Sequence, residues 1–313
     1  MTLHQPIHWL GGFIADLPTP FDDDDRVDWP AFETLCEHQI RSGATAIVVG
    51  ETMGEDSTLG RDEHEEIVAA AVGIARGRVA VIAGAGSNAT SQALELTTAA
   101  EAAGADAILS VVPYYNKPTQ AGILAHFQAI TNVTGLPVIL HDVPARTLRE
   151  ISDETIVRLS ESKQLIGLKD ASGSVARLLR LKPALPPTFR FLSGDDATAP
   201  IYLASGGDGC ISIIANFFPE LCRSIYESCM TGHMPVSDGS PARIAALATV
   251  LSADSQVAAL KYGLSLLGLM KPAVRLPLVE LGDDARKAVA LAMTALCEDE
   301  AAADASSCRL AMS

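Results

Sequence analysis

Residues 79–111 read VAVIAGAGSNATSQALELTTAAEAAGADAILSV and hold one complete strand–helix–strand unit. Val79–Ala83 and Ala107–Val111 are apolar at consecutive positions instead of alternating, as strands covered on both faces of a parallel sheet are. Between them Ser91–Ala103 has a helical pattern, and Ala103-Gly104 punctuates the return. The unit recurs in both directions along the chain. Upstream lie Gly12–Asp16 and Ala46–Val49; downstream lie Pro137–His141, Leu165–Lys169, Phe189–Ser193 and Gly209–Ile213. Helical patterns over Arg61–Ala75, Gln120–Thr131, Asp153–Glu161 and Val175–Leu181 alternate with them. Eight such units without a break in composition predict a closed (β/α)8 TIM barrel, with a doubly wound open sheet as the competing architecture.

After Pro219 the strand pattern stops. Glu220–Thr231, Ala242–Leu251, Gln256–Leu267 and Asp284–Cys297 read as helices. The expected organisation is therefore a barrel over residues 1–218, a C-terminal helical extension over 219–297, and a small, polar, disordered tail over 298–313.

The 313 residues carry 23 Lys and Arg against 38 Asp and Glu, a net charge of −15. That excess repels nucleic acid and anionic membranes, so neither is expected as a partner. Aromatic residues at 5% leave few stacking platforms for single strands. The opening MTLHQPIHWLGGF has no basic segment before a long apolar run, and no stretch of about 18 apolar residues follows. Neither a signal peptide nor a membrane span is expected. The six cysteines form no CxxC pair, and reduced thiols in a cytoplasmic protein are the expectation.

In a barrel of this kind, function sits at the C-terminal ends of the strands and in the loops after them. Those positions hold Asp16, Gly50-Glu51-Thr52, Gly84-Ala85-Gly86, Pro113-Tyr114-Tyr115, His141-Asp142, Lys169-Asp170, Ser193–Asp196 and Ile211-Ser212. Lys169 is the outlier. It ends the apolar run Leu165–Leu168, where an ammonium is normally excluded. A lysine desolvated there loses part of its preference for charge, and a neutral amine can attack a keto acid to form an imine. The competing interpretation is a lysine paired with a carboxylate. The Gly50–Glu55 turn can aim backbone N–H groups and the Thr52 hydroxyl at an anion such as a carboxylate. Tyr114 and Tyr115 offer phenols, His141 an imidazole, and Arg146 a guanidinium suited to a substrate carboxylate.

Together these segments resemble the dihydrodipicolinate synthase and N-acetylneuraminate lyase family of pyruvate-dependent class I aldolases, from about Gly11 to Glu280. The carriers are Leu17-Pro18-Thr19-Pro20-Phe21, Gly54-Glu55 with Ser57-Thr58-Leu59, Ala83–Thr90, Pro113–Pro118, Val143-Pro144-Ala145-Arg146-Thr147, Ile166–Gly173, Ser193–Asp196 and Arg275-Leu276-Pro277-Leu278. The synthase branch is the nearer of the two. The resemblance implies that Lys169 forms the Schiff base and that Thr52 and Tyr115 belong to a proton relay, Tyr115 reaching in from a neighbouring subunit. It further implies that the Ile211 backbone contacts pyruvate, that Arg146 holds the second substrate's carboxylate, and that the assembly is a homo-oligomer, dimer or tetramer. No metal or organic cofactor is implied.

Four departures surround that site. His141 stands where the family has a tyrosine, its main proton donor and acceptor, so an imidazole would titrate in that place. Met53 replaces a second hydroxyl residue and leaves only a backbone N–H for the pyruvate carboxylate. Glu51 replaces a glycine, and Asp142 an asparagine. Retained imine chemistry with a retuned acid–base group follows, aspartate semialdehyde being the expected acceptor. The alternatives are another keto-acid aldolase or dehydratase/deaminase of sugar-acid or hydroxyproline catabolism, or a non-catalytic keto-acid-binding barrel. A metal-dependent aldolase would need a ligand pair such as His4 and His8, which Pro6 separates. Gly84-Ala85-Gly86 lacks the third glycine of a dinucleotide fingerprint.

Overall fold

The computed structural model describes residue 7 and residues 9–232 and 239–303. Eight parallel strands close in sequence order: β1 (Gly12–Asp16), β2 (Ala46–Val49), β3 (Ala80–Gly84), β4 (Ala107–Val111), β5 (Val138–Asp142), β6 (Leu165–Asp170), β7 (Arg190–Ser193) and β8 (Gly209–Ser212). Closure is made by β8 on β1, with Phe13 opposite Cys210 and Ile14 opposite Ile211. The strands lie within a residue or so of where apolar runs predicted them, because both faces of each are largely buried and most positions along the runs are apolar.

Parity along each strand decides which side chains can meet. Ile14, Val48, Ile82, Leu109, Ile139, Leu192 and Ile211 fill the barrel interior. Their neighbours Phe13, Ile47, Val81, Ile108, Leu140 and Phe191 face the surrounding helices. Two residues beyond an interior position, a side chain again points to the axis. Asp16 and His141 therefore point inward at the C-terminal mouth, as does Lys169, which lies opposite His141 two residues past Gly167, the partner of Ile139, while Asp142 and Asp170 point outward.

Near that mouth β2 and β3 approach so closely that a side chain on Gly84 would collide with the Gly50 carbonyl oxygen. His64, from the helix Arg61–Ala75, meets both the Gly84 carbonyl (2.7 Å) and the Gly50 carbonyl (3.3 Å) through Nε2. Gly50 has a φ of +61°, and a Cβ there would lie 2.8 Å from that same nitrogen. The start of the loop carrying Glu51 and Thr52 is thus pinned to the barrel wall.

Helices Pro219–Met230, Ser240–Leu251, Gln256–Leu266 and Asp283–Ala303 follow the last strand. Phe217, Leu247, Leu260, Leu264 and Met293 form their common core, which also encloses Met53. Among the described residues no single helix is long and apolar enough to cross a membrane; the sharply bent pair Pro241–Leu251 and Gln256–Leu266 contributes to this core. The last helix corrects one expectation. It runs on through Ala303, past the start of the expected tail, since Ala and Glu in Glu298–Ala303 are strong helix formers. Residues 304–313, His4 and His8 lie outside the described residues.

Candidate active site

Four ionisable side chains meet at the inner mouth of the barrel. Lys169 Nζ donates to Asp16 Oδ2 at 2.8 Å and lies 3.5 Å from Glu51 Oε2. Glu51 Oε1 is 2.7 Å from His141 Nδ1. All four residues are at most 4% exposed. The strands bring them together from four elements: Asp16 ends β1, Glu51 follows β2, His141 lies on β5 beside Lys169 on β6. Asn216 fixes the end of β1 by donating from Nδ2 to the Asp16 carbonyl at 2.9 Å.

Charge in this cluster follows from burial and pairing. Burial pulls the Lys169 ammonium down, but Asp16 and then Glu51 outweigh it, and its pKa stands above the ordinary lysine value. This corrects the expectation that desolvation alone would favour the neutral amine: the two carboxylates were not part of that argument. Lys169 thus has the buried position that suits a nucleophile and also the carboxylate partners of the competing interpretation. Burial lowers His141 despite Glu51, so the imidazole is neutral near pH 7. Glu51 is held well below the carboxylate range, burial being overcome by His141, Lys169 and the Thr52 N–H. The Nδ1–H of neutral His141 then donates to Glu51, and Nε2 is the nitrogen left to exchange a proton. Asp16 is pushed up to about 6 by burial, which Lys169 opposes.

Above the cluster a cavity of about 720 Å³ opens to solvent, lined by Thr52, Asp56, Arg146, Gly194, Asp195 and Gln256 among others. The Lys169 stem packs under its floor, where a Cβ on Gly194 would approach Lys169 Cγ to 3.1 Å. Arg146 lies in the short helix Pro144–Thr147 directly after β5, and its Nη2 donates to Gln256 Oε1 at 3.0 Å. Burial, with Glu51 nearby, raises Asp56 to about 7.

The sequence-predicted residues divide into groups. Lys169 and His141 belong to the cluster, Thr52 and Arg146 to the cavity wall, and Ile211 to the layer inside β8. Met53 turns its side chain into the helical core and away from the cavity. Tyr115 is 90% exposed, with a left-handed φ of +69°, and stands outside the cavity of its own chain. Asp142 also points away: Arg177, fully buried, pairs Nη1 with Asp142 Oδ2 at 2.7 Å on the helix side of the sheet. Two members of the cluster escaped sequence reasoning as partners, Asp16 and Glu51. An acid ending an apolar strand run, as Asp16 does, is the same signal that singled out Lys169.

Among the described residues, no group of three or more His, Cys, Asp or Glu is placed to hold a metal ion.

Comparison with known proteins gives a consistent result. The Dihydrodipicolinate synthetase family matches residues 9–296. The 4-hydroxy-tetrahydrodipicolinate synthase of Methylobacterium radiotolerans is 43% identical over 280 residues, covering 90% of this chain and 93% of the relative. That of Acidiphilium cryptum is 41% identical over 285 residues, 91% of this chain and 98% of the relative. Among solved structures, the 4-hydroxy-tetrahydrodipicolinate synthase of Methylacidiphilum fumariolicum has a TM-score of 0.91 at 34% identity, covering 94% of this chain and 98% of that one. The chloride-inhibited dihydrodipicolinate synthase of Acinetobacter baumannii complexed with pyruvate has a TM-score of 0.88 at 38% identity, covering 91% and 98%.

Proposed function

The chain belongs to the dihydrodipicolinate synthetase family, and we propose that it condenses pyruvate with aspartate semialdehyde to 4-hydroxy-tetrahydrodipicolinate through an imine on Lys169. The observation that carries this reading is the inward-facing lysine of β6, joined through Glu51 to the His141 imidazole and lying beneath Gly194 in the wall of an open cavity. Lys169 Nζ attacks C2 of pyruvate and water leaves. The iminium draws electrons from the adjacent methyl carbon, whose proton is removed to give an enamine. That carbon then attacks the aldehyde.

His141 is the group that moves the methyl proton, with Thr52 and Tyr115 completing the relay. Glu51 fixes its ring through Nδ1, so Nε2 acts as base and then as acid. The pyruvate carboxylate is held by backbone at Met53 and Ile211, and the acceptor's carboxylate by Arg146 at the cavity wall. Tyr115, exposed on its own chain, serves a neighbouring copy, so the working unit is a homo-oligomer. The reaction needs no metal or organic cofactor, and its setting is the cytoplasm.

Sodium borohydride reduction in the presence of pyruvate, followed by peptide mass mapping, tests the scheme. Mass added at Lys169 supports it; turnover with Lys169 unlabelled refutes it. His141 in place of a phenol keeps a second acceptor class in view, and parallel assays with aspartate semialdehyde and keto-deoxy sugar acids decide between them.

A further inference from the structure

We propose that Asp16 is a catalytic residue of imine formation, ferrying protons from the Lys169 nitrogen to the oxygen that leaves as water. The inference rests on Lys169 being the imine-forming residue.

Two carboxylates lie within reach of Nζ, and their surroundings differ. Glu51 is engaged through both oxygens, Oε1 with His141 Nδ1 at 2.7 Å and Oε2 with Lys169 at 3.5 Å. A carboxylate held at both oxygens stays ionised. Asp16 is closer to the amine, and Lys169 is the partner of Oδ2 at 2.8 Å. Its other oxygen, Oδ1, is buried with no hydrogen-bond partner. Burial of a carboxyl so sparsely satisfied favours its protonated form, and Asp16 is raised to about 6 against the opposing pull of Lys169 and, more weakly, Arg146, with Glu51 reinforcing the rise. Of the two acids, Asp16 is the one able to gain and lose a proton.

The step balances with no further reagent. In the resting state Lys169 is an ammonium and Asp16 a carboxylate. One ammonium proton passes to Asp16, the nitrogen lone pair bonds to C2, and the carbonyl π pair moves onto oxygen. Asp16 gives that proton to the alkoxide, forming the carbinolamine. It then takes a second proton from nitrogen and delivers it to the hydroxyl. The C–O bond breaks, water leaves, and the nitrogen lone pair closes the C=N bond. The third proton stays on nitrogen. Asp16 ends as a carboxylate facing the iminium it helped to make, where its charge stabilises the electron-poor form.

Rapid-quench borohydride trapping with radiolabelled pyruvate measures imine formation in a single turnover. Wild type is expected to label at Lys169, with a rate that falls below about pH 6 as Asp16 protonates. Asp16→Asn is expected to label about 100-fold more slowly at pH 7. Its acid limb near pH 6 should be absent, and its rate should rise with pH as hydroxide replaces the lost acceptor. Asp16→Ala, which opens space beside the amine, should be accelerated by added formate, a response that a purely structural role does not produce. Should Asp16→Asn not fold, the wild-type acid limb and formate rescue of Asp16→Ala carry the test. A folded Asp16→Asn that traps at the wild-type rate, or a slow Asp16→Ala indifferent to formate, overturns the inference and leaves the imine reading intact. Absence of label in the wild type overturns the imine reading itself, and this inference with it.

Discussion

Replacing Lys261 by methionine tests how the turn that carries Thr52 is held. Lys261 is fully buried in the helix Gln256–Leu266, its ammonium ion-paired with Glu55, donating to the Ala273 carbonyl at 3.0 Å, and 4.0 Å above the Phe21 ring. Glu55 follows the turn Thr52–Gly54 in a left-handed conformation, φ +57°, and its Oε2 accepts from the Arg275 N–H at 3.0 Å. The pair thus ties the cavity wall to the C-terminal helices. Burial lowers Lys261 from the ordinary 10.5 to about 8 in spite of Glu55, a drop worth roughly 3 kcal/mol against the charged form at neutral pH. Methionine has similar length and removes that penalty, but it strands the Glu55 carboxylate. Breaking a buried pair from one side costs about 3–5 kcal/mol, whereas replacing both partners is often neutral. Lys261→Met should therefore lose at least ~3 kcal/mol in denaturant unfolding at pH 7, and adding Glu55→Gln should restore most of it. The single variant should also lose roughly tenfold in kcat as the Thr52 turn loosens. The pH dependence has a definite sign. The folded pKa lies below the unfolded one, so the unfolded chain binds the extra proton between about pH 8 and 10.5. This group alone makes wild-type stability rise with pH across that window. A single-variant loss under about 1 kcal/mol, or a double variant no better than the single, refutes the anchoring role.

His141→Tyr replaces an imidazole with a phenol, and the pH–rate profile should move upward; an unmoved profile removes the acid–base role of His141. Arg146→Ala should raise the KM for the aldehyde by about 10- to 100-fold while leaving that for pyruvate nearly unchanged, matching a lost charged hydrogen bond of about 1.5–3 kcal/mol; equal effects on both substrates would place Arg146 elsewhere in the mechanism. Tyr115→Ala and Lys169→Ala, each inactive alone, should regain activity when their subunits are mixed and reassembled. Failure of stable mixed oligomers to do so excludes a phenol donated between subunits.

Much of this architecture was legible in the chain because parallel strands buried on both faces advertise themselves as apolar runs, and the residues that end them fall at the mouth. Lys169 and His141 stand at such ends. What the runs do not convey is which ends meet: Asp16 and Lys169 are 153 residues apart, and Glu51 and His141 are 90 apart. Strand parity closes part of that gap, since Asp16 and Lys169 each lie two residues past an inward position, whereas Asp142 lies one off and turns to Arg177. Glu51 lies beyond β2, where parity no longer applies, and its direction is set by the extended backbone before the turn, φ −119° and ψ −162°. The sign of the Lys169 shift depended on those two acids, so desolvation by itself pointed the wrong way.

The close seam between β2 and β3, with one imidazole gripping two carbonyls beneath the Glu51 loop, has an evolutionary corollary. A foundation with no room for even a methyl group cannot slide to suit a new reactant. A change of chemistry at this rim is therefore made by exchanging side chains at fixed coordinates, and a new reaction can be explored without rebuilding the scaffold.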